Sequence, residues 1–154
     1  MNRAVLGAAI LLGGSAVAGL LWIRFDQSGP AEASAERLEH GRAIYAANCA
    51  SCHGAKLEGQ PDWKSRLPSG RLLAPPHDAS GHTWHHPDDV LFRITREGPA
   101  AVGGGGYQSD MPGFNQVLSD DEIREVLEFI KSTWPERERQ HQAAMSRREK
   151  EASR

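Results

Sequence analysis

The chain has 154 residues and a formal net charge of −2, with 39% hydrophobic and 25% charged side chains. That length excludes a large multidomain machine, and the lack of a basic excess excludes nucleic acid as a default partner, because phosphate-binding domains carry a strong positive surplus. The two cysteines, Cys49 and Cys52, exclude a disulfide framework, since a bridge between residues so close together closes almost no loop.

Taken in chain order, Ala4 to Ile23 runs without a charge. As a helix rising ~1.5 Å per residue it spans roughly 30 Å, the thickness of a bilayer's hydrocarbon core. Residues 1–25 are therefore expected to form a transmembrane anchor. The competing reading is a cleaved secretory signal, because Ala16-Val17-Ala18 and Ala31-Glu32-Ala33 both have the small-x-small pattern that a signal peptidase accepts. Either reading sends the rest of the chain across the membrane. Residues 26–35 are polar and small and are expected to be a linker. A helix is expected from about Ala35 to near Asn48, with Leu38, Arg42 and Tyr45 on one face. Residues 54–87 are rich in proline and glycine without a sustained period, which predicts loops with at most one short helix.

His86-Pro87-Asp88-Asp89 opens a segment with Val90, Leu91, Ile94 and Thr95 at helical spacing, so a short helix is expected over 88–96. Gly98 to Gly113 is expected to be irregular; its run Gly103–Gly106 lacks the lysine and hydroxyl residue of a phosphate-binding P-loop and reads as a loop. The last body helix is the best marked. Ser119 and Glu122 form a capping box, and Ile123, Val126, Leu127, Ile130 and Trp134 form its apolar stripe before Pro135 interrupts it. Residues 136–154 alternate charges and are expected to be a charged tail, either a solvated helix or disordered. The folded body is thus 36–135, all-α. Its core is thin enough to call for a metal or a cofactor.

Cys49-Ala50-Ser51-Cys52-His53 is the motif that carries chemistry. A redox disulfide would call for a preceding strand in a βαβ unit, and a zinc site for further cysteines or well-spaced histidines. The adjacent histidine instead points to covalent haem: two thiols one helical turn apart reach the two vinyl groups, and the next side chain stands under the iron.

With that motif in place, the chain resembles the class I c-type cytochromes, in particular their small membrane-anchored bacterial monohaem members, over roughly Glu36 to Trp134. Gly41 and Tyr45 match the glycine and aromatic of the family's first helix. Val126-Leu127-Glu128-Phe129-Ile130-Lys131 matches its last helix. In the family these helices cross, with the glycine permitting close approach. The resemblance implies a class I cytochrome c fold, with three or more short helices and long loops around one haem c held by Cys49 and Cys52. It gives His53 as one axial iron ligand.

For the other ligand, Met1 lies in the leader and Met145 in the tail, while Met111 sits in Ser109-Asp110-Met111-Pro112-Gly113-Phe114, which resembles the family's M-P-x-F ligand loop. A methionine that merely fills the core is the alternative. In the family a proline carbonyl orients the proximal histidine. Pro61, Pro68, Pro75 and Pro76 all follow His53, and Pro75 or Pro76 is expected to take that role. Tyr45, Trp84, Phe114 and Phe129 are candidate pocket walls. His77, His82, His85 and His86 form a second cluster, read either as a copper or zinc site or as groups that bond a haem propionate and cap the following helix.

The expected function is electron carriage rather than catalysis: an anchored or exported monohaem cytochrome c on the periplasmic side of the inner membrane. It would exchange electrons with redox proteins such as a quinol–cytochrome c oxidoreductase or a terminal oxidase in a respiratory or photosynthetic chain. Two other classes remain open, a haem-based sensor or small-ligand binder and a metal-handling protein that uses the His77–His86 cluster.

Overall fold

The computed structural model describes residues 30–154, and from Glu36 onward they form one compact unit. The expected membrane segment, 1–25, lies outside the described residues. Among the described residues no helix is long and apolar enough to cross a membrane. They contain no strand, only an isolated antiparallel bridge between Arg66 and Leu72.

Helix α1 spans Pro30–Asn48. It starts earlier than expected because Ala31 to Ala35 is a run of helix formers, with Glu32 favourably placed in the first turn. A one-turn helix α2, Ala50–His53, follows almost at once and carries most of the C-x-x-C-H motif. It stops at Gly54, whose φ of +81° is open to glycine but strained for other residues. Residues 54–82 are loop, as expected, and end in a short 3-10 turn, Thr83–His85.

Helix α3, Asp88–Glu97, lies where the apolar spacing placed it. The stretch expected to be irregular contains one added turn, α4, Pro99–Val102, which begins on a proline suited to a first helical turn. Helix α5, Asp120–Ser132, opens with the expected capping box: Ser119 accepts from the Glu122 amide, and the Glu122 carboxylate accepts from the Ser119 amide at 2.8 Å. The core consists of Ile44 and Tyr45 from α1, Leu57, Leu91 from α3, Leu118, Ile123, Val126 and Ile130 from α5, and Trp134 just beyond it.

Helices α1 and α5 cross at Gly41, where a Cβ would stand 2.2 Å from the Glu125 carbonyl oxygen. Arg37 pairs with Glu128 (2.8 Å) and His40 Nδ1 lies 2.6 Å from the Glu125 carboxylate, and the two contacts flank that crossing.

The charged C-terminal segment takes the helical of its two expected forms but is packed rather than solvated. It forms helix α6, Glu136–Ala152, packed on the Thr83–His85 turn and on α3, with Glu138, Gln142 and Ser146 buried. The reason is polar rather than apolar. Pro87 offers α3 no side-chain cap, and the Ser146 hydroxyl accepts from the Asp88 amide at 3.0 Å in its place. Gln142 donates to the Asp88 carboxylate at 2.8 Å and to the His86 carbonyl at 3.3 Å, and Lys131 of α5 pairs with Asp88 at 2.6 Å.

Candidate haem site

The motif's two cysteines differ in setting: Cys49 is half-buried and Cys52 exposed. Burial, reinforced by Cys52, pushes the Cys49 thiol up to about 11. A thiol so reluctant to ionise is a poor nucleophile on its own.

His53 is buried, and its Nδ1 lies 2.8 Å from the Pro75 carbonyl oxygen. A carbonyl only accepts, so Nδ1 carries the hydrogen and Nε2 keeps its lone pair. Burial lowers the imidazole's affinity for a second proton, while the Pro75 carbonyl acts in the opposite sense. The result is a neutral ring in fixed orientation, the form that binds metals.

Tyr45 secures this turn from α1. Its hydroxyl donates to the Gly54 carbonyl at 2.9 Å and its ring leans on Phe129, centroids 5.6 Å apart. Burial raises the phenol far above its ordinary range, so it remains a donor.

Of the two prolines, Pro75 supplies the carbonyl. Pro76 is buried between two close backbone approaches, Gly59 and Gly81. The residue after them, His77, stacks on the His53 ring, with centroids 3.8 Å apart and planes inclined by 17°. Sequence reasoning placed His77 in a loose histidine cluster; only its position directly after the two prolines could have tied it to His53. Trp84 has ring contacts with His85 (3.7 Å) and His141 (5.4 Å) and donates from its indole nitrogen to the Ala79 carbonyl at 3.3 Å, which gives it a part in the seating of α6.

Met111 is half-buried, and its amide donates to the Ser109 hydroxyl at 3.1 Å. Its loop is latched to the end of α3: Phe114 and Asn115 donate their amides to the carbonyls of Thr95 (3.0 Å) and Arg96 (3.1 Å). Arg71, four residues before Pro75, pairs with Asp110, the neighbour of Met111, and so ties the loop behind His53 to the loop of Met111.

Among the described residues, two buried side-chain polar atoms lack a hydrogen-bond partner, Arg71 Nε and His77 Nδ1. Unpaired buried donors and acceptors are rare in folded proteins, and these two border the candidate ligands, beside Asp110–Met111 and against the His53 ring. Groups with unmet hydrogen bonds at those places fit a bound cofactor that carries carboxylates. The donor set, two thiols, a neutral imidazole and a thioether, fits a covalently attached haem.

The family model described as Cytochrome c matches residues 38–134. Cytochrome c-555 of Prosthecochloris aestuarii is 44% identical over 67 residues, a stretch that covers 40% of this chain and 68% of that protein. No solved structure matches the chain.

Proposed function

Because the chain belongs to the cytochrome c family and carries a covalently bound haem c as an electron carrier, we propose that Cys49 and Cys52 hold that haem as thioethers and that His53 and Met111 ligate its iron. The observation that carries this reading is the His53–Pro75 hydrogen bond, which presents a neutral Nε2 lone pair from a turn that also bears both thiols. Bound in this way, the haem supplies reversible one-electron exchange between ferrous and ferric iron.

The protein's part is to select and hold the ligands. Pro75 makes His53 a stronger donor by accepting its Nδ1 hydrogen, and Tyr45 anchors the backbone on which His53 sits. Met111 contributes a soft, neutral sulfur that favours the ferrous state. His53 and Met111 would together hold the iron and keep oxygen or substrate from it, which suits carriage of electrons rather than catalysis. Tyr45, Pro75, Pro76, Trp84 and Phe114 are the proposed contributors to the pocket.

The uncharged run Ala4–Ile23 supports an N-terminal anchor or export signal. On that reading the haem domain faces the periplasm, either on a single-pass helix in the inner membrane or released after cleavage. Its partners there are redox proteins, such as a quinol–cytochrome c oxidoreductase or a terminal oxidase, met in brief contacts.

Met111→Ala tests the ligand assignment. The variant should lose the sulfur-to-iron charge-transfer absorption and bind carbon monoxide when reduced. Its midpoint potential should fall on the order of 0.1 V or more, within the ~0.8 V that axial ligands span. An intact charge-transfer band would remove Met111 from the iron.

A further inference from the structure

Helix α6 brings a histidine from the charged segment to the Thr83–His85 turn. His85 and His141 are both exposed, their ring centroids 5.6 Å apart and their planes inclined by 72°. Trp84 touches both, stacked on His85 at 3.7 Å and edge-on to His141 at 5.4 Å. Their backbones are held by buried neighbours. Gln142, next to His141, donates to the carbonyl of His86, next to His85, at 3.3 Å, and to Asp88 at 2.8 Å. Two surface imidazoles from distant parts of the chain are thus set side by side by a part-buried polar lock centred on the buried Gln142.

Two imidazole nitrogens bound to one ion at about 2.0–2.1 Å place each ring centre roughly 3 Å from the ion, and two such rings in adjacent positions roughly 5 Å apart. The 5.6 Å centroid spacing of His85 and His141 is close to that separation. We propose that His85 and His141 form a surface site for a divalent first-row transition-metal ion that imidazole favours, with Cu(II) held most tightly. Among the described residues no group of three or more histidine, cysteine, aspartate or glutamate side chains is placed to hold an ion, so two imidazoles supply the protein's share and water completes the coordination. Imidazole ligands select copper, nickel and zinc over magnesium and calcium, and copper heads the affinity series. The neighbouring pair His82 and His86, with centroids 5.4 Å apart, is the less available one, since His86 is only partly exposed. An ion on His85 and His141 joins α6 to the turn beneath it, so binding stabilises the seated helix by mass action.

The test is calorimetric titration of Cu(II) into the haem-loaded full chain, whose cysteine sulfurs are thioethers and do not compete as thiolates. One saturable site is expected, with two nitrogen couplings in the copper resonance spectrum and a rise in the unfolding temperature. His141→Ala keeps a helix-forming residue at an exposed position, and His85→Asn leaves the turn polar. Each should weaken binding at least about tenfold, the lower end of what even outer-shell partners of a metal site contribute. A His82→Asn, His86→Asn double variant should bind as the parent does. Absence of saturable binding, unchanged affinity in His141→Ala, or loss of binding in the His82, His86 variant overturns the assignment. An unaltered haem absorption spectrum in every variant separates the outcome from the fate of the haem assignment.

Discussion

An alanine at position 41 would put its methyl group 2.2 Å from the Glu125 carbonyl oxygen and 2.7 Å from the carbonyl carbon. Both are backbone atoms of α5, so no side-chain rotation relieves the clash and the two helices must separate. Alanine favours helix over glycine by about 1 kcal/mol, whereas overpacking of a tight contact costs about 1–3 kcal/mol. Because the clash is with backbone, the cost lies toward the upper end, and Gly41→Ala should be less stable by up to about 2 kcal/mol, read as a lower midpoint in denaturant titration of the haem-loaded protein. A variant as stable as the parent would mean that α1 and α5 do not meet closely at this residue. The glycine and Tyr45 were legible in the sequence because each stands at a set spacing from Cys49. The choice between Pro75 and Pro76 was not, since adjacent carbonyls differ only in direction and direction comes from the loop's folding. Nor was the stacking of His77 on His53, because a ring's neighbour across a loop leaves no trace in local spacing.

At the level of elements, α5 and α6 show opposite degrees of legibility. Helix α5 announces itself through a capping box and a stripe of large apolar side chains, signals that hydropathy reads well. Helix α6 is seated by Gln142, Ser146 and Lys131 on Asp88, and a periodicity of polar residues looks the same whether it faces solvent or a polar lock. The lock has a pH signature. Burial alone would raise the Asp88 carboxyl, but hydrogen bonds from Lys131 and Gln142, the Lys131 charge and Ser146 outweigh it and hold the group below its ordinary 3.8. A carboxylate depressed in the folded state adds stability that is fully present above its unfolded value and disappears as pH falls through its folded value. Asp88→Asn should thus be less stable than the parent at pH 7, by about 1 kcal/mol once solvent screening of this partly exposed pair is allowed for. The two proteins should converge in acid, as pH falls through the lowered folded-state value of Asp88 and the parent's carboxyl takes up a proton. Guanidinium melts at both pH values check this; a gap that persists at low pH would assign the effect to packing instead of charge.

Across the whole molecule, the long loops find their reason in what they enclose. Among the described residues nine large apolar side chains are buried, drawn from α1, α3, α5 and the segments between them. Residues 54–82 contribute Leu57 alone to that set. Those loops nevertheless carry the His53-orienting Pro75 and the unpaired buried atoms of Arg71 and His77. Small domains with so sparse a core depend on a staple, and on the proposed ligation a haem joined covalently to the motif and held from the Met111 loop would supply both apolar surface and cross-linking. A chain with Cys49→Ala and Cys52→Ala, produced without haem, should therefore lose its cooperative thermal transition and much of its helical circular dichroism. The haem-loaded parent should melt sharply under the same conditions. The comparison has a built-in contrast: the Asp88 lock joins α3, α5 and α6 by contacts made wholly within the protein, so residual helix in the haem-free chain should concentrate there and appear as hydrogen-exchange protection in residues 120–152. Protection of residues 54–82 equal to that in the parent would show that the loops fold on their own and that the haem is a passenger in the fold.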